Sequence, residues 1–308
     1  MKAIAIRRYG GPEVIEYLEL PDPKVGPDSV LVRVKAAGVS PVDWKLREGR
    51  LDPALDVHFP LVLGWDVAGV VERVGPGVTE FRVGDQVMGY VRKDWAEHGT
   101  YAELVAAPVR TLAAKPARLG WAEAGGLPLA GLTAYQGLVK ALALAAGETV
   151  LIHAAAGGVG GFATQIAVAL GARVIGTARE HNHAYLRSLG AEPVAYGEGL
   201  AERVRALAPD GVDAVFDLVG GAVVALSEPL VRQRGRIASI ADPAVLAFGG
   251  HYVFVRPDAA DLAALGELVE QGRLSVTVAS TFPLAQAASA QQLSAEGRTR
   301  GKIVLLVD

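Results

Sequence analysis

One stretch, Val150–Ala163, constrains the fold of this chain more than any other. Thr149–His153 is short and mostly apolar, as expected of a buried β-strand. Four glycines follow within the five positions 157 to 161, and the sequence after them is typical of a helix. One helix length later, Gly171–Ala178 has the pattern of a second strand. The run therefore predicts a βαβ unit, which requires a parallel sheet.

The glycines themselves predict a phosphate-binding turn. A pyrophosphate needs backbone N–H groups that it can approach closely, at the positive end of a helix dipole. In the pattern G-x-G-x-x-G, the three glycines make the turn, admit the phosphates and let helix and strand pack. Those places fall on Ala155, Gly157 and Gly160, so the first glycine is replaced. An ordinary strand-to-helix turn is the alternative, but the second strand favours a dinucleotide. The predicted contacts are Ala156, Gly157, Gly158, Val159 and Gly160.

The end of the second strand indicates which dinucleotide is bound. Enzymes that use NAD place Asp or Glu there, to hold the ribose 2′-hydroxyl. This chain instead has Thr177, Ala178 and Arg179. A guanidinium pairs bidentately with a 2′-phosphate, which a carboxylate would repel, so Arg179 favours NADP(H). The alternative is that Arg179 is a solvated residue at the start of a helix, because the neighbouring Glu180 offsets its positive charge. Thr177 is a further predicted contact.

Length and charge exclude several classes of protein. At 308 residues the chain is expected to form two domains, and its net charge of -3 gives no basic surface for nucleic acid. No uninterrupted apolar run predicts a spanning helix, and residues 1–8 alternate like a strand rather than a signal peptide. With no cysteine, the chain has no disulfide and no thiolate zinc site. These features predict a cytoplasmic protein with no membrane partner.

The composition and the hydrophobic pattern of the sequence change near Trp121. Before it, short alternating segments such as Ser29–Ala36 predict a strand-rich, barrel-like domain. After it, alanine- and leucine-rich helices alternate with apolar strands, which predicts a doubly wound parallel sheet. The predicted strands of that sheet are Thr149–His153, Arg173–Thr177, Pro193–Tyr196, Asp213–Phe216 and Gly235–Ile240. A helix at Ala259–Glu270 and strands at Leu274–Val278 and Lys302–Val307 are predicted to follow.

Six segments, in order along nearly the whole chain, resemble the medium-chain dehydrogenase/reductase superfamily. They are Ala36–Asp43, Gly64–Val71, Gly84–Gly89, Ala155–Gly160, Asp217–Gly221 and Gly301–Leu305. Within the superfamily the chain is similar to the zinc-independent, NADPH-dependent quinone oxidoreductases. The resemblance implies an α/β fold, with a GroES-like β-rich catalytic domain plus a Rossmann doubly wound parallel sheet, and an active site between the two domains.

The resemblance also implies domain boundaries and an assembly. The catalytic domain is expected over residues 1–120, completed by 273–308, and the NADP(H)-binding domain over 121–272. A homodimer is expected through the edge of the Rossmann sheet around Phe248–Arg256. There, Tyr252–Val255 predicts an unpaired apolar edge strand, which associates unless it is covered.

This chain has other residues at the positions where related enzymes carry zinc ligands. Zinc alcohol dehydrogenases of the superfamily carry Cys where this chain has Ser40, and Gly-His-Glu where it has Gly64-Trp65-Asp66. A catalytic zinc requires about three protein ligands, and the six histidines show no such spacing. The chain is therefore predicted to bind no metal. Side-chain hydrogen bonds polarise an acceptor more weakly than a Lewis acid does, which favours an activated acceptor.

Four polar residues are candidates for the chemistry. Ser40 and Thr133 are predicted to donate hydrogen bonds to nicotinamide or substrate, with Asp43 positioning them. For Asp43 the alternative is a buried cap at the start of a helix. Tyr101 either donates to an oxyanion or, as its strand context favours, is a structural aromatic.

Other site residues follow from the resemblance. Trp44 and Trp65 either form a flat aromatic wall for a planar ring or belong to the core. Further cofactor contacts are expected at Tyr196, Val219, Ile240, Phe254, Val255 and Lys302.

Three functions remain open from the sequence. The leading one is zinc-free, NADPH-dependent reduction of a small-molecule quinone or α,β-unsaturated carbonyl. The second is an enoyl-thioester reductase of the same fold, for which the sequence shows no basic cluster suited to a coenzyme A or phosphopantetheine tail. The third is an NADP(H)-binding redox sensor without turnover.

Overall fold

The computed structural model describes residues 1–307, which divide into two compact units. Unit 1 consists of Met1–Leu132, Arg256–Gly272 and the chain from Val276 onward; unit 2 consists of Thr133–Val255 and Arg273–Ser275. Within residues 1–307, no helix is both long and apolar enough to cross a membrane.

The strands and helices have the following bounds. The strands are β1 (Lys2–Ile6), β2 (Glu16–Glu19), β3 (Ser29–Val39), β4 (Asp56–Val62), β5 (Asp66–Val74), β6 (Gln86–Tyr90), β7 (Trp95–His98), β8 (Leu104–Pro108), β9 (Leu112–Ala114), β10 (Thr149–Ile152), β11 (Arg173–Thr177), β12 (Glu192–Val194), β13 (Ala214–Asp217), β14 (Ile237–Ser239), β15 (His251–Tyr252), β16 (Val278–Pro283) and β17 (Lys302–Leu306). The helices are α1 (Pro41–Arg47), α2 (Trp121–Gly126), α3 (Pro128–Tyr135), α4 (Gly158–Ala169), α5 (His183–Ser188), α6 (Leu200–Leu207), α7 (Ala222–Ser227), α8 (Ala259–Glu270) and α9 (Ala287–Ala295), with a π-helix over Gln136–Ala141 after α3.

Unit 1 is built on two sheets. One has the order β2-β1-β4-β7, and the other has β16-β17-β3-β5-β6-β9 with β8 also paired to β3. Strand β3 lies at the centre of the second sheet, and its Val30, Val32 and Val34 are fully buried. Because β17 pairs with β3, the C-terminal segment completes a sheet that the N-terminal segment begins. The predicted GroES-like, β-rich domain is confirmed.

Unit 2 contains a parallel sheet with the order β12-β11-β10-β13-β14-β15. Counted within the unit, this is the order 3-2-1-4-5-6 of a Rossmann fold, so that prediction is also confirmed. Leu151, Ile175 and Val215 come from neighbouring strands, are fully buried and share one core cluster. The strands β10 and β13 at the centre of the sheet are buried along their whole length, whereas β15 at the edge is exposed.

Two predicted strands are placed differently by the structure. The prediction of a strand at Leu274–Val278 is wrong, because the strand β16 begins at Val278, where pairing with β17 starts. Leu274 and Val276 are buried by packing rather than by pairing. The predicted edge strand Tyr252–Val255 is reduced to β15, His251–Tyr252, since only these residues pair with β14.

The two units also divide at positions that differ from the expected boundaries of 120 and 272. Helix α2 packs on β3, β5 and β17. A Cβ atom on Gly125 would lie 2.8 Å from the Ala36 Cβ, so the glycine allows α2 to approach the sheet closely. Helix α8 packs on β9 and belongs to unit 1 as well. Both helices are therefore part of the barrel-like unit.

Candidate active site

The glycine-rich turn joins β10 to α4 in unit 2. The backbone N–H groups of Ala154 and Ala155 donate to the Thr177 Oγ1 and carbonyl oxygen, both at 3.0 Å, so Thr177 anchors the turn to β11. A Cβ atom on Gly160 would lie 2.3 Å from the Ala154 carbonyl oxygen, so only glycine lets α4 start this close to the strand. Gly157 caps α4. Ala154, which adopts a positive φ of 51° in this turn, was not singled out from the sequence.

The loops after β13 and β14 are held by one carboxylate. Asp217 ends β13, is fully buried, and accepts hydrogen bonds from the Val219 N–H at 2.9 Å and the Gly220 N–H at 3.1 Å. It also accepts from the Ser239 Oγ, at 2.6 Å. The predicted contacts Val219 and Ile240 lie in these loops, and Val219 is exposed. An aspartate that ends an apolar strand before two glycines was the signal that would have found Asp217.

The other predicted cofactor residues of unit 2 follow the same edge of the sheet. Ala156, Gly158 and Val159 lie at the amino end of α4, after β10. Phe254 and Val255 follow β15, where Phe254 is exposed and Val255 is buried. In open α/β sheets, ligands bind outside the carboxyl ends of the strands, so this edge is the expected ligand side.

Arg179 and Tyr196 meet at a surface depression beyond β11 and β12. The Arg179 Nε donates to the Tyr196 hydroxyl at 2.8 Å, and both side chains are exposed. Glu180 and His181 also line the depression, together with Ala178 and Ala195. The structure thus brings two predicted cofactor residues, 17 positions apart, into direct contact. Because this contact uses one of the five guanidinium N–H donors, the others stay available to an anion.

Ser40 and Asp43 lie at the start of α1 in unit 1. The Asp43 Oδ2 accepts from the Ser40 backbone N–H at 2.7 Å and from the Tyr101 hydroxyl at 2.9 Å. Burial raises the pKa of Asp43 to about 6, against the lowering effect of these two hydrogen bonds. Burial and the neighbouring Asp43 hold the pKa of Tyr101 well above its ordinary value. Asp43 therefore caps the helix, and Tyr101 is its buried partner.

Lys302 joins Ser40 to a second buried carboxylate. Its Nζ donates to the Ser40 Oγ at 2.7 Å and lies 3.9 Å from the Asp66 Oδ2. The Asp66 Oδ1 accepts from the Leu129 N–H at 2.6 Å. Burial raises the pKa of Asp66 to about 7, although the Lys302 charge opposes this. Burial lowers the pKa of Lys302, and Asp66 and Asp43 oppose that shift. The predicted contact Lys302 thus lies in unit 1, bonded to Ser40.

The remaining predicted residues have separate surroundings. Thr133 is buried in α3 and belongs to unit 2. Trp65 is buried and packs edge-on to Tyr90, with ring centroids 6.1 Å apart, as a core residue does. Trp44 is half-buried, and the Arg50 guanidinium lies 5.1 Å from the centre of its ring, at the distance of a cation–π contact. Among residues 1–307, no group of three or more His, Cys, Asp or Glu side chains could hold a metal ion.

Known proteins share both units. The model of the alcohol dehydrogenase GroES-like domain matches residues 26–117, and that of a zinc-binding dehydrogenase matches residues 189–305. A quinone oxidoreductase of Pseudomonas aeruginosa is 36% identical, over 99% of each chain. A chloroplastic NADPH-dependent alkenal/one oxidoreductase of Arabidopsis thaliana is 34% identical, over 99% of this chain and 79% of its own.

A solved structure extends the similarity to three dimensions. A mycobacterial protein in complex with NADPH is 32% identical and superposes with a TM-score of 0.87, over 99% of this chain and 100% of its own. Three findings indicate the same family: the sequence identity over nearly the full length, the two matched domains and the strand order observed in each unit. This chain belongs to the medium-chain dehydrogenase/reductase superfamily, as a member of its quinone oxidoreductase group.

Proposed function

We propose that this chain is a zinc-independent, NADPH-dependent oxidoreductase that transfers hydride to quinones or α,β-unsaturated carbonyls. The observation that carries the proposal is the arrangement around Ser40. Ser40 and Trp65 stand where zinc relatives carry Cys and His, and a lysine ammonium lies 2.7 Å from the Ser40 hydroxyl. A cation in that place supports hydrogen-bond donation by Ser40 rather than metal ligation.

The residues of unit 2 fit a nicotinamide dinucleotide. The amino end of α4 offers backbone N–H groups to a pyrophosphate, with Gly157 and Gly158 admitting close approach. Arg179, held by Tyr196, suits a 2′-phosphate and supports NADP(H) over NAD(H). When bound, NADPH supplies the hydride. The residues proposed to hold it are Ala156, Gly157, Gly158, Val159, Gly160, Thr177, Arg179, Tyr196, Val219, Ile240, Phe254 and Val255.

The acceptor is inferred from the small number of donors. Hydride addition to a quinone or enone leaves a negative charge that is spread over a conjugated system, and one or two hydrogen-bond donors stabilise it. Ser40 and Thr133 are the proposed donors, with Asp43 holding the Ser40 backbone in place. An isolated alkoxide concentrates the charge on one oxygen and would need stronger stabilisation.

The expected assembly follows from the resemblance. We expect a homodimer through the edge of the unit 2 sheet, and the exposed side chains of Tyr252 in β15 and of Phe254 just after it support this. A cytoplasmic location stays a prediction.

The experiment that tests the function is a panel of acceptors with the purified protein. NADPH oxidation is followed with a para-quinone, an ortho-quinone, a simple enone, an enoyl-CoA and a saturated ketone. Quinone or enone turnover well above that of the ketone supports the proposal. Preference for the enoyl-CoA supports an enoyl-thioester reductase instead, and NADPH binding without turnover of any acceptor supports a redox sensor.

A further inference from the structure

Lys302 is a buried ammonium whose nearest partner is a hydroxyl rather than a carboxylate. Its Nζ is 2.7 Å from the Ser40 Oγ but 3.9 Å from the Asp66 Oδ2, and Lys302 is only 4% exposed. An ammonium group has three hydrogens to donate and accepts none. In this contact the Ser40 oxygen must therefore be the acceptor.

The contacts of Ser40 leave its hydroxyl proton available for a further hydrogen bond. Asp43 caps helix α1, because the Ser40 N–H donates to the Asp43 carboxylate, and the Asp43 N–H donates to the Ser40 carbonyl oxygen at 3.0 Å. Within residues 1–307, the structure shows no group that accepts the hydroxyl proton. A serine that accepts from a cation on one side can still donate its one proton on the other.

Asp66 keeps the ammonium in place. One carboxylate oxygen of Asp66 is held by the Leu129 N–H, and the other faces Lys302 without a hydrogen bond of its own. The carboxylate is nearly fully buried, so its attraction for the ammonium is little weakened by solvent. Lys302 is thereby fixed at the Ser40 oxygen rather than free to swing out on its flexible side chain.

We propose that Lys302 is a positioning residue of the reductase reaction, which directs the Ser40 proton towards the acceptor oxygen and strengthens Ser40 as a donor. This inference rests on the proposed function and deepens it. It also gives Lys302 a role different from the cofactor contact expected from the sequence, because the ammonium is already bonded inside unit 1. No bond to Lys302 forms or breaks in this role; its charge acts through the serine hydroxyl.

A double-mutant cycle separates this role from a structural one. We expect Ser40→Ala to lower kcat for quinone reduction by about 100-fold, as the loss of an oxyanion donor does. We expect Lys302→Met to lower kcat by about 10-fold to 100-fold while the Kd for NADPH stays within about 2-fold of the original. Because Lys302 acts through Ser40, the double variant should be no slower than Ser40→Ala alone.

Controls guard against loss of the fold. Lys302→Met leaves Asp66 without its cation, so a second variant combines it with Asp66→Asn, which removes both charges together. Lys24→Met removes an exposed charge of unit 1 and should leave kcat unchanged. In the cofactor-free protein, urea unfolding of Ser40→Ala, Lys302→Met and the double variant gives a second cycle, in which the midpoint shifts should be non-additive because the two side chains are in contact.

The outcomes are distinct. If the protein oxidises NADPH with quinones but the effects of Ser40→Ala and Lys302→Met on kcat multiply, the inference about Lys302 is wrong and the proposed function stands. A large rise in the Kd for NADPH in Lys302→Met, with kcat unchanged, likewise overturns it in favour of a cofactor contact. If the original protein turns over no quinone or enone, the proposed function and this inference both fail.

Discussion

Arg179→Ala is expected to weaken the preference for NADPH over NADH. In the structure the Arg179 Nε donates to the Tyr196 hydroxyl at 2.8 Å, which orients the guanidinium at the surface depression. A hydrogen bond to a charged group contributes about 1.5–3 kcal/mol, and solvent weakens it at an exposed site such as this one. We therefore expect a loss of about 1–3 kcal/mol. Since 1.4 kcal/mol is tenfold in affinity, the Kd for NADPH should rise about 5-fold to 150-fold.

The assay is a fluorescence titration of each variant with NADPH and with NADH. The Kd for NADH should hardly change in Arg179→Ala, because NADH has no 2′-phosphate. Tyr196→Phe keeps the ring but loses the hydroxyl that orients Arg179, so its effect on NADPH should be smaller. Glu180→Gln, which removes a negative charge beside the depression, should tighten NADPH binding. Equal Kd values for NADPH and NADH in the original protein would refute the reasoning.

Four further predictions concern stability, metal content and assembly. Gly160→Ala should destabilise the fold by about 1–3 kcal/mol in urea unfolding, because its Cβ would lie 2.3 Å from the Ala154 carbonyl oxygen. Gly157→Ala should destabilise the fold less, because the nearest atom to its Cβ would lie at 3.3 Å. Equal effects of the two substitutions would contradict this prediction. Burial lowers the pKa of His153 from its ordinary value of 6.5 to about 4. As the pH falls from 6.5 towards 4, His153 therefore takes up a proton in the unfolded chain but not in the folded chain. Relative to His153→Gln, the original protein should therefore lose about 2 kcal/mol of unfolding free energy between about pH 7 and about pH 4.5, and a pH-independent difference would count against it. Elemental analysis should find no stoichiometric zinc, and activity should survive a chelator; one zinc per chain would overturn that expectation. Sedimentation at micromolar concentration should show a dimer, and a monomer alone would speak against it.

The sequence predicted unit 2 well because its signals are local. Apolar strands, glycines at tight turns and helix-length spacers follow one another along the chain, and Gly160 has the close contact that its place in the motif requires. Arg179 was predicted from its place after the second strand and Tyr196 from the resemblance, whereas their direct contact is shown by the structure.

What the sequence did not predict depends on contacts between distant segments. Lys302 and Ser40 are 262 positions apart, and the direction of the lysine side chain is fixed by the antiparallel pairing of β17 with β3. The placement of β16 was missed for the same reason, because its register is set by β17 rather than by its own alternation. A buried polar partner such as Asp66 carries no periodic pattern that separates it from surface residues.

The most direct test of the account compares conjugated and saturated acceptors under identical conditions. Steady-state NADPH oxidation is measured with a para-quinone, a simple enone and a saturated ketone, and the reverse reaction is measured with a primary alcohol and NADP⁺. We expect the highest kcat/KM for the quinone or the enone, with the values for the ketone and the alcohol far below. Faster turnover of saturated ketones or simple alcohols than of every conjugated acceptor would contradict it.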